Sequence, residues 1–165
     1  MVWFMPNVAN PTTKPDIAKR NGTDSNGKPV RILVVEDNRD DSDLLVRQLH
    51  KNNFDGHVRV ISDGKEALNL LLMEGFRLNL VAIFLDLKLP SLNGSKWFAQ
   101  IRSRPALGKI PIYVMTSSNA PGVLKECSRL GVDGFIAKPV TYPAFAKAVA
   151  DLFHARVRQN QNRVE

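Results

Sequence analysis

Three acids stand where two apolar runs end. Glu36 and Asp37 follow Arg31-Ile32-Leu33-Val34-Val35, and Asp86 follows Leu80-Val81-Ala82-Ile83-Phe84-Leu85. Carboxylates crowded together raise one another's pKa unless a cation offsets them. Two further apolar runs end in Thr116-Ser117 and Lys138-Pro139. Oxygen ligands of this type suit a hard divalent ion, Mg²⁺, held by one or two carboxylates, a carbonyl and water. Asp37 and Asp86 are read as direct ligands, with the Lys88 backbone carbonyl as a third and Glu36 acting through water. A metal so held neutralises phosphoryl oxygens during in-line transfer. Lys138 can meet the same group as a compact point charge, and Pro139 after it fixes a tight bond that can be cis. The Thr116 hydroxyl can donate to the phosphoryl group, which leaves Asp86 as a carboxylate nucleophile.

These groups converge only if the chain brings the run ends together. Apolar runs at 32–35, 58–61, 80–85, 110–115 and 134–137 are short and rich in Val and Ile, the pattern of buried strands. Each is followed by helical spacing. Leu44, Leu45, Gln48 and Leu49 follow the first. Asp63, with Glu66 three residues on, marks a capped start before Ala67, Leu68, Leu71 and Leu72. Trp97, Phe98 and Ile101 follow the third run, with the two aromatics expected to divide between core and surface. Val123, Leu124, Cys127 and Leu130 follow the fourth and end at Gly131. Thr141 is read as the cap of a last helix, with Pro143 in its first turn and Phe145, Val149 and Leu152 on one face. Five strands alternating with five helices predict a parallel sheet covered on both faces. Ligands of such sheets bind outside the carboxyl ends of the strands, where strand order reverses. All four polar run ends fall on that rim.

Composition bounds the rest. The 165 residues suit one domain at 30–155, with an extension at 1–29 and a polar tail at 156–165. The extension holds four prolines among Asn, Thr, Ser and Gly and is expected to be flexible, with Trp3 and Phe4 able to dock on a body or partner. No stretch approaches the roughly 18 apolar residues of a membrane span, and Met1-Val2-Trp3-Phe4-Met5 is too short for a signal peptide. Cys127 is the single cysteine, so no intrachain disulfide forms, and it reads as a small apolar residue on its helix. A cytoplasmic location is the expectation. Of the +7 formal charge, each terminal segment supplies +2, leaving +3 spread over the middle. That distribution reads as a solvated basic surface, with neither nucleic acid nor membrane as a partner. Binding of nucleic acid through the basic ends is the competing reading.

Four motifs occur in order: VVEDN at 34–38, LDLKLP with NG at 85–94, MTSS at 115–118 and GFIAKP at 134–139. Together they resemble the receiver domain of two-component response regulators, of the chemotaxis-type single-domain kind, over about residues 30–154. The resemblance implies a flavodoxin-like, doubly wound α/β fold: a five-stranded parallel sheet in the order 2-1-3-4-5 with five helices, in three α/β/α layers. It implies that Asp86 accepts phosphate from the phosphohistidine of a sensor histidine kinase, using Mg²⁺. Glu36 and Asp37 then match the acidic pair, Thr116 the switch hydroxyl, Lys138 the invariant lysine and Phe135 the switch aromatic, although Phe135 also reads as ordinary core. DLKLPSLNG and IRSRPALGKIPIYVMTSS are similar to stand-alone regulators paired with phytochrome-type kinases. Lys88 departs from the Asn expected there. Positions 88 and Ser118 are implied to flank the water that hydrolyses the acyl phosphate, so the departure bears on phosphate lifetime.

The implied output is a re-posed face made of the fourth helix, fifth strand and fifth helix. That face would control a separate effector, a histidine phosphotransfer protein or a homodimer. Chemistry is expected on Asp86 alone, as self-catalysed phosphorylation and dephosphorylation rather than turnover as an enzyme. A haloacid-dehalogenase-type phosphatase would need a second Asp where Lys88 stands, and its acid pair would follow the nucleophile. A receiver that has lost phosphorylation would not need Asp37, Asp86, Thr116 and Lys138 together.

Overall fold

The computed structural model describes residues 28–51, 54–77, 79–90, 93–117 and 121–141, together with Pro143 and Lys147. Parallel strands β1 (Arg31–Val35), β2 (His57–Ile61), β3 (Leu80–Asp86), β4 (Ile112–Thr116) and β5 (Gly134–Ala137) form one sheet in the order β2-β1-β3-β4-β5. Between them run α1 (Arg39–Lys51), α2 (Gly64–Leu72), the short α3 (Glu74–Arg77), α4 (Gly94–Arg102) and α5 (Pro121–Arg129). This is the expected doubly wound topology, with its reversal of strand order between β1 and β3.

The period-two geometry of the strands sorts their side chains into two cores. Ile32 and Val34 of β1, Ala82 and Phe84 of β3, and Tyr113 and Met115 of β4 face one side, where α1 supplies Leu45 and Leu49. Leu33, Val35, Ile83, Leu85, Ile112 and Val114 face the other, covered by Ala67 and Leu71 of α2, by α4, and by Cys127 of α5. Burial on both faces explains why β1, β3 and β4 read as continuous apolar runs.

Local signals account for the helix ends. The Asn38 carboxamide oxygen accepts the N–H groups of Asp40 and Asp41 and so caps α1. Asp63 caps α2 through the N–H groups of Lys65 and Glu66, and Asn93 caps α4 through that of Lys96. Gly131, at φ 77°, lets the chain leave α5 in the left-handed region where a side chain would be strained.

Several expectations need correction. β2 is not a buried strand: it has one neighbour, only Ile61 is buried, and Val60 is exposed. β4 starts at Ile112 rather than Ile110, because Pro111 has no N–H for the ladder and contributes only its carbonyl, to Ile83 N–H. Trp97 and Phe98 do not divide between core and surface. Both are buried, since with Ile101 they form one stripe wide enough for adjacent positions. The indole N–H is satisfied by the Gly64 carbonyl at 3.0 Å, which removes the cost of burying it. α3 was not anticipated; four residues are too few to show a period. The predicted last helix lies outside the described residues except for Pro143 and Lys147, both helical. The tail at 156–165, and the extension but for its last two residues, also fall outside them.

Candidate functional site

The register of the sheet assembles the rim. Val35 pairs with Leu85, so Glu36 and Asp86 leave β1 and β3 side by side. Asp86 pairs with Met115, and Thr116 with Ala137, which sets Thr116 and then Lys138 at the next two strand ends. The Glu36 N–H donates to the Ile61 carbonyl and the Lys138 N–H to the Thr116 carbonyl, each at 2.9 Å, which ties adjacent strand ends together.

Lys138 spans the rim. Its Nζ lies 3.0 Å from Asp86 Oδ2, 2.6 Å from Glu36 Oε2 and 3.0 Å from Asp41 Oδ2. Asp86 Oδ1 accepts the Lys88 N–H at 2.9 Å, and Glu36 Oε1 accepts that of Asn38 at 3.0 Å. Glu36 is therefore held by Lys138 and a backbone amide as well as standing among the candidate metal ligands. The Lys138–Pro139 bond is cis.

One carboxylate oxygen each from Glu36, Asp37 and Asp86 lie within 4.8 Å of one another. Glu36 and Asp86 are buried and Asp37 is exposed, so the cluster opens to water on the Asp37 side. An all-oxygen set of this geometry and charge fits a hard divalent cation. Among the described residues, these three acids are the group that could hold a metal ion.

Burial raises the Glu36 carboxyl above its ordinary range, with Asp86 adding to the shift, while Lys138 and the Asn38 amide pull the other way. Burial also works against the Lys138 ammonium, but hydrogen bonds to Glu36, Asp86 and Asp41 outweigh it. Its pKa lies above the ordinary lysine value, and the rim keeps a fixed positive charge at neutral pH.

Of the residues picked from the sequence, Glu36, Asp37, Asp86 and Lys138 are brought together. Thr116 is buried at the neighbouring strand end. Phe135 is half-buried on β5 and packs against the second core. The Lys88 side chain is exposed, whereas its amide touches Asp86. Ser118 lies outside the described residues. Asp41 was missed. Its position in the first turn of α1, directly after the acid pair, was the available signal, because that turn starts from the rim.

Residues 32–150 match the family model of the response regulator receiver domain. The chain belongs to that family. Among curated relatives, the probable methanogenesis regulatory protein FilR2 of Methanothrix harundinacea is 32% identical over 75% of this receiver and 81% of its own length. The solved bacteriophytochrome response regulator RtBRR is 37% identical, with a TM-score of 0.64 over 74% of this chain and 77% of that one. The Mn²⁺-bound form of response regulator Rcp1 is 29% identical, with a TM-score of 0.61 over 73% of this chain and 89% of that one. Phytochrome-linked response regulators are thus among the receiver's relatives. No helix among the described residues is long and apolar enough to cross a membrane.

Proposed function

We propose that this receiver is a phosphorylation-controlled binding module in which Asp86 accepts a phosphoryl group from a sensor histidine kinase. The observation that carries the reading is the Lys138 ammonium fixed against Asp86 Oδ2 beside the Glu36–Asp37 pair. An Asp86 carboxylate oxygen forms the new bond to phosphorus as the phosphorus–nitrogen bond of the phosphohistidine breaks, and the departing imidazole takes up a proton. Lys138 offsets charge on the phosphoryl oxygens, and Thr116 supplies a hydroxyl at the next strand end. Glu36, Asp37 and Asp86, with the Lys88 carbonyl, would hold Mg²⁺, which when bound neutralises phosphoryl charge.

The signal leaves through the surface of α5 and β5, where Thr116 and Phe135 couple the site to packing. Its recipient is an effector, a histidine phosphotransfer protein or a second copy of the chain. The phytochrome-linked relatives favour a phytochrome-type kinase as donor; a cytoplasmic setting is proposed with it. The only chemistry is on Asp86 itself. Acetyl phosphate with Mg²⁺ should add one phosphoryl group to the wild type, read by intact mass, and none to Asp86→Asn. An Asp86→Asn variant labelled as well as the wild type would defeat the assignment.

A further inference from the structure

Lys138 has three N–H groups, and three carboxylates surround them. Glu36 and Asp86 are the rim acids of the phosphoacceptor reading; Asp41 is neither a metal-cluster member nor a strand-end residue. Its carboxylate nevertheless stands as close to the ammonium as that of Asp86, at 3.0 Å. The three acceptors differ in their access to water. The Glu36 side chain is fully enclosed and that of Asp86 is 4% exposed, whereas that of Asp41 is 29% exposed.

A phosphoryl group arriving on Asp86 replaces one carboxylate by several charged oxygens, which compete with the two remaining carboxylates, Glu36 and Asp41, for the Lys138 ammonium. Glu36 cannot turn to water without exposing a buried strand end. Asp41 can, because it is already partly in solvent and its backbone N–H is held independently by the Asn38 side chain.

We propose that Asp41 is a displaceable third acceptor for Lys138, holding the ammonium in the resting site and competing with the phosphoryl group for it. Asp41 is a positioning residue, acting on the reaction through Lys138. The inference rests on the phosphoacceptor reading of Asp86. Removing its charge leaves Lys138 with two carboxylates and an N–H ready for the incoming oxygens. The neighbouring Asp40 is a matched control, on the same helical turn and exposed.

The test is a titration with beryllofluoride, a tetrahedral phosphoryl mimic, in the presence of Mg²⁺, on the full chain. Asp41→Asn should bind about three- to tenfold more tightly than the wild type, the range for releasing one charged, partly solvated hydrogen bond. Asp40→Asn should change by less than about twofold, as expected of a screened surface charge. Mg²⁺ affinity, measured separately, should stay within about twofold of wild type in Asp41→Asn, because Asp41 is outside the metal cluster. Equal gains in Asp40→Asn and Asp41→Asn, or no gain in either, would overturn the proposal. So would a gain in Asp41→Asn matched by an equal loss of Mg²⁺ affinity. Failure of the wild type to bind the mimic would overturn the reading of Asp86 instead, and this inference with it.

Discussion

At the carboxyl rim, Lys138 meets three carboxylates, Glu36, Asp41 and Asp86, with Asp37 close by. Toward the amino ends of β4 and β5, Arg102 meets mostly neutral partners. Its NH1 donates to the carbonyls of Gly108 and Ile110, and its NH2 to the Gly131 carbonyl and Asp133 Oδ2. Asp133 Oδ2 in turn accepts the Ile112 N–H at 2.8 Å. The arginine clamp satisfies carbonyls of loop segments that no sheet or helix could serve, and each charge in it has its complement. At the rim, three carboxylates share one ammonium and a fourth stands beside them, so the site keeps an excess of negative charge that these residues do not cancel. The clamp balances its charges internally, and the rim leaves a negative excess that a divalent cation would offset.

The contrast breaks if the clamp turns out to matter for chemistry, or the rim for folding. Arg102→Ala should have the largest effect on stability, about 2–4 kcal/mol, since several partly buried acceptors lose their donor at once. Urea unfolding checks this, and labelling of the folded variant by acetyl phosphate should match the wild type. Asp37→Asn should behave in the opposite sense. It relieves repulsion at the rim and raises the melting temperature without metal, while the further rise on adding Mg²⁺ shrinks. An unchanged Mg²⁺ response would remove Asp37 from the cation site.

A smaller effect is expected from Glu36→Gln in cation-free buffer. The folded wild type holds the Glu36 proton more tightly than the unfolded chain does. Its stability therefore falls as pH rises from the ordinary value of 4.5 through the raised folded value, a loss the variant lacks. The difference between the two stability–pH curves should open upward across that window; parallel curves would contradict the burial-driven shift. Lys88→Asn should alter stability least. It should change the half-life of the labelled protein more than its yield, because the side chain is exposed while its amide touches Asp86.

What could be read from the sequence follows the same division. β1, β3 and β4 were legible because burial on both faces writes an unbroken apolar run, and their acidic or hydroxyl ends stood out against it. β2 carries the same Val and Ile but sits at an edge, and composition does not record how many neighbours a strand has. Trp97 could be buried only because the Gly64 carbonyl accepts its N–H, a contact between two helices that neither segment announces. Asp41 reads as an ordinary first-turn acid that favours the helix dipole. That it also faces Lys138 depends on how α1 is phased over the rim, which the spacing of its own residues leaves open.

The most direct measurement is the address of the phosphoryl group. Acetyl phosphate labelling with Mg²⁺, followed by borohydride, converts an aspartyl phosphate to homoserine, which peptide mass spectrometry locates. Homoserine at position 86 alone is the expected result. Modification at 37 or 41 instead, or none in a chain that is folded and binds Mg²⁺, would contradict a phosphoacceptor rim centred on Asp86.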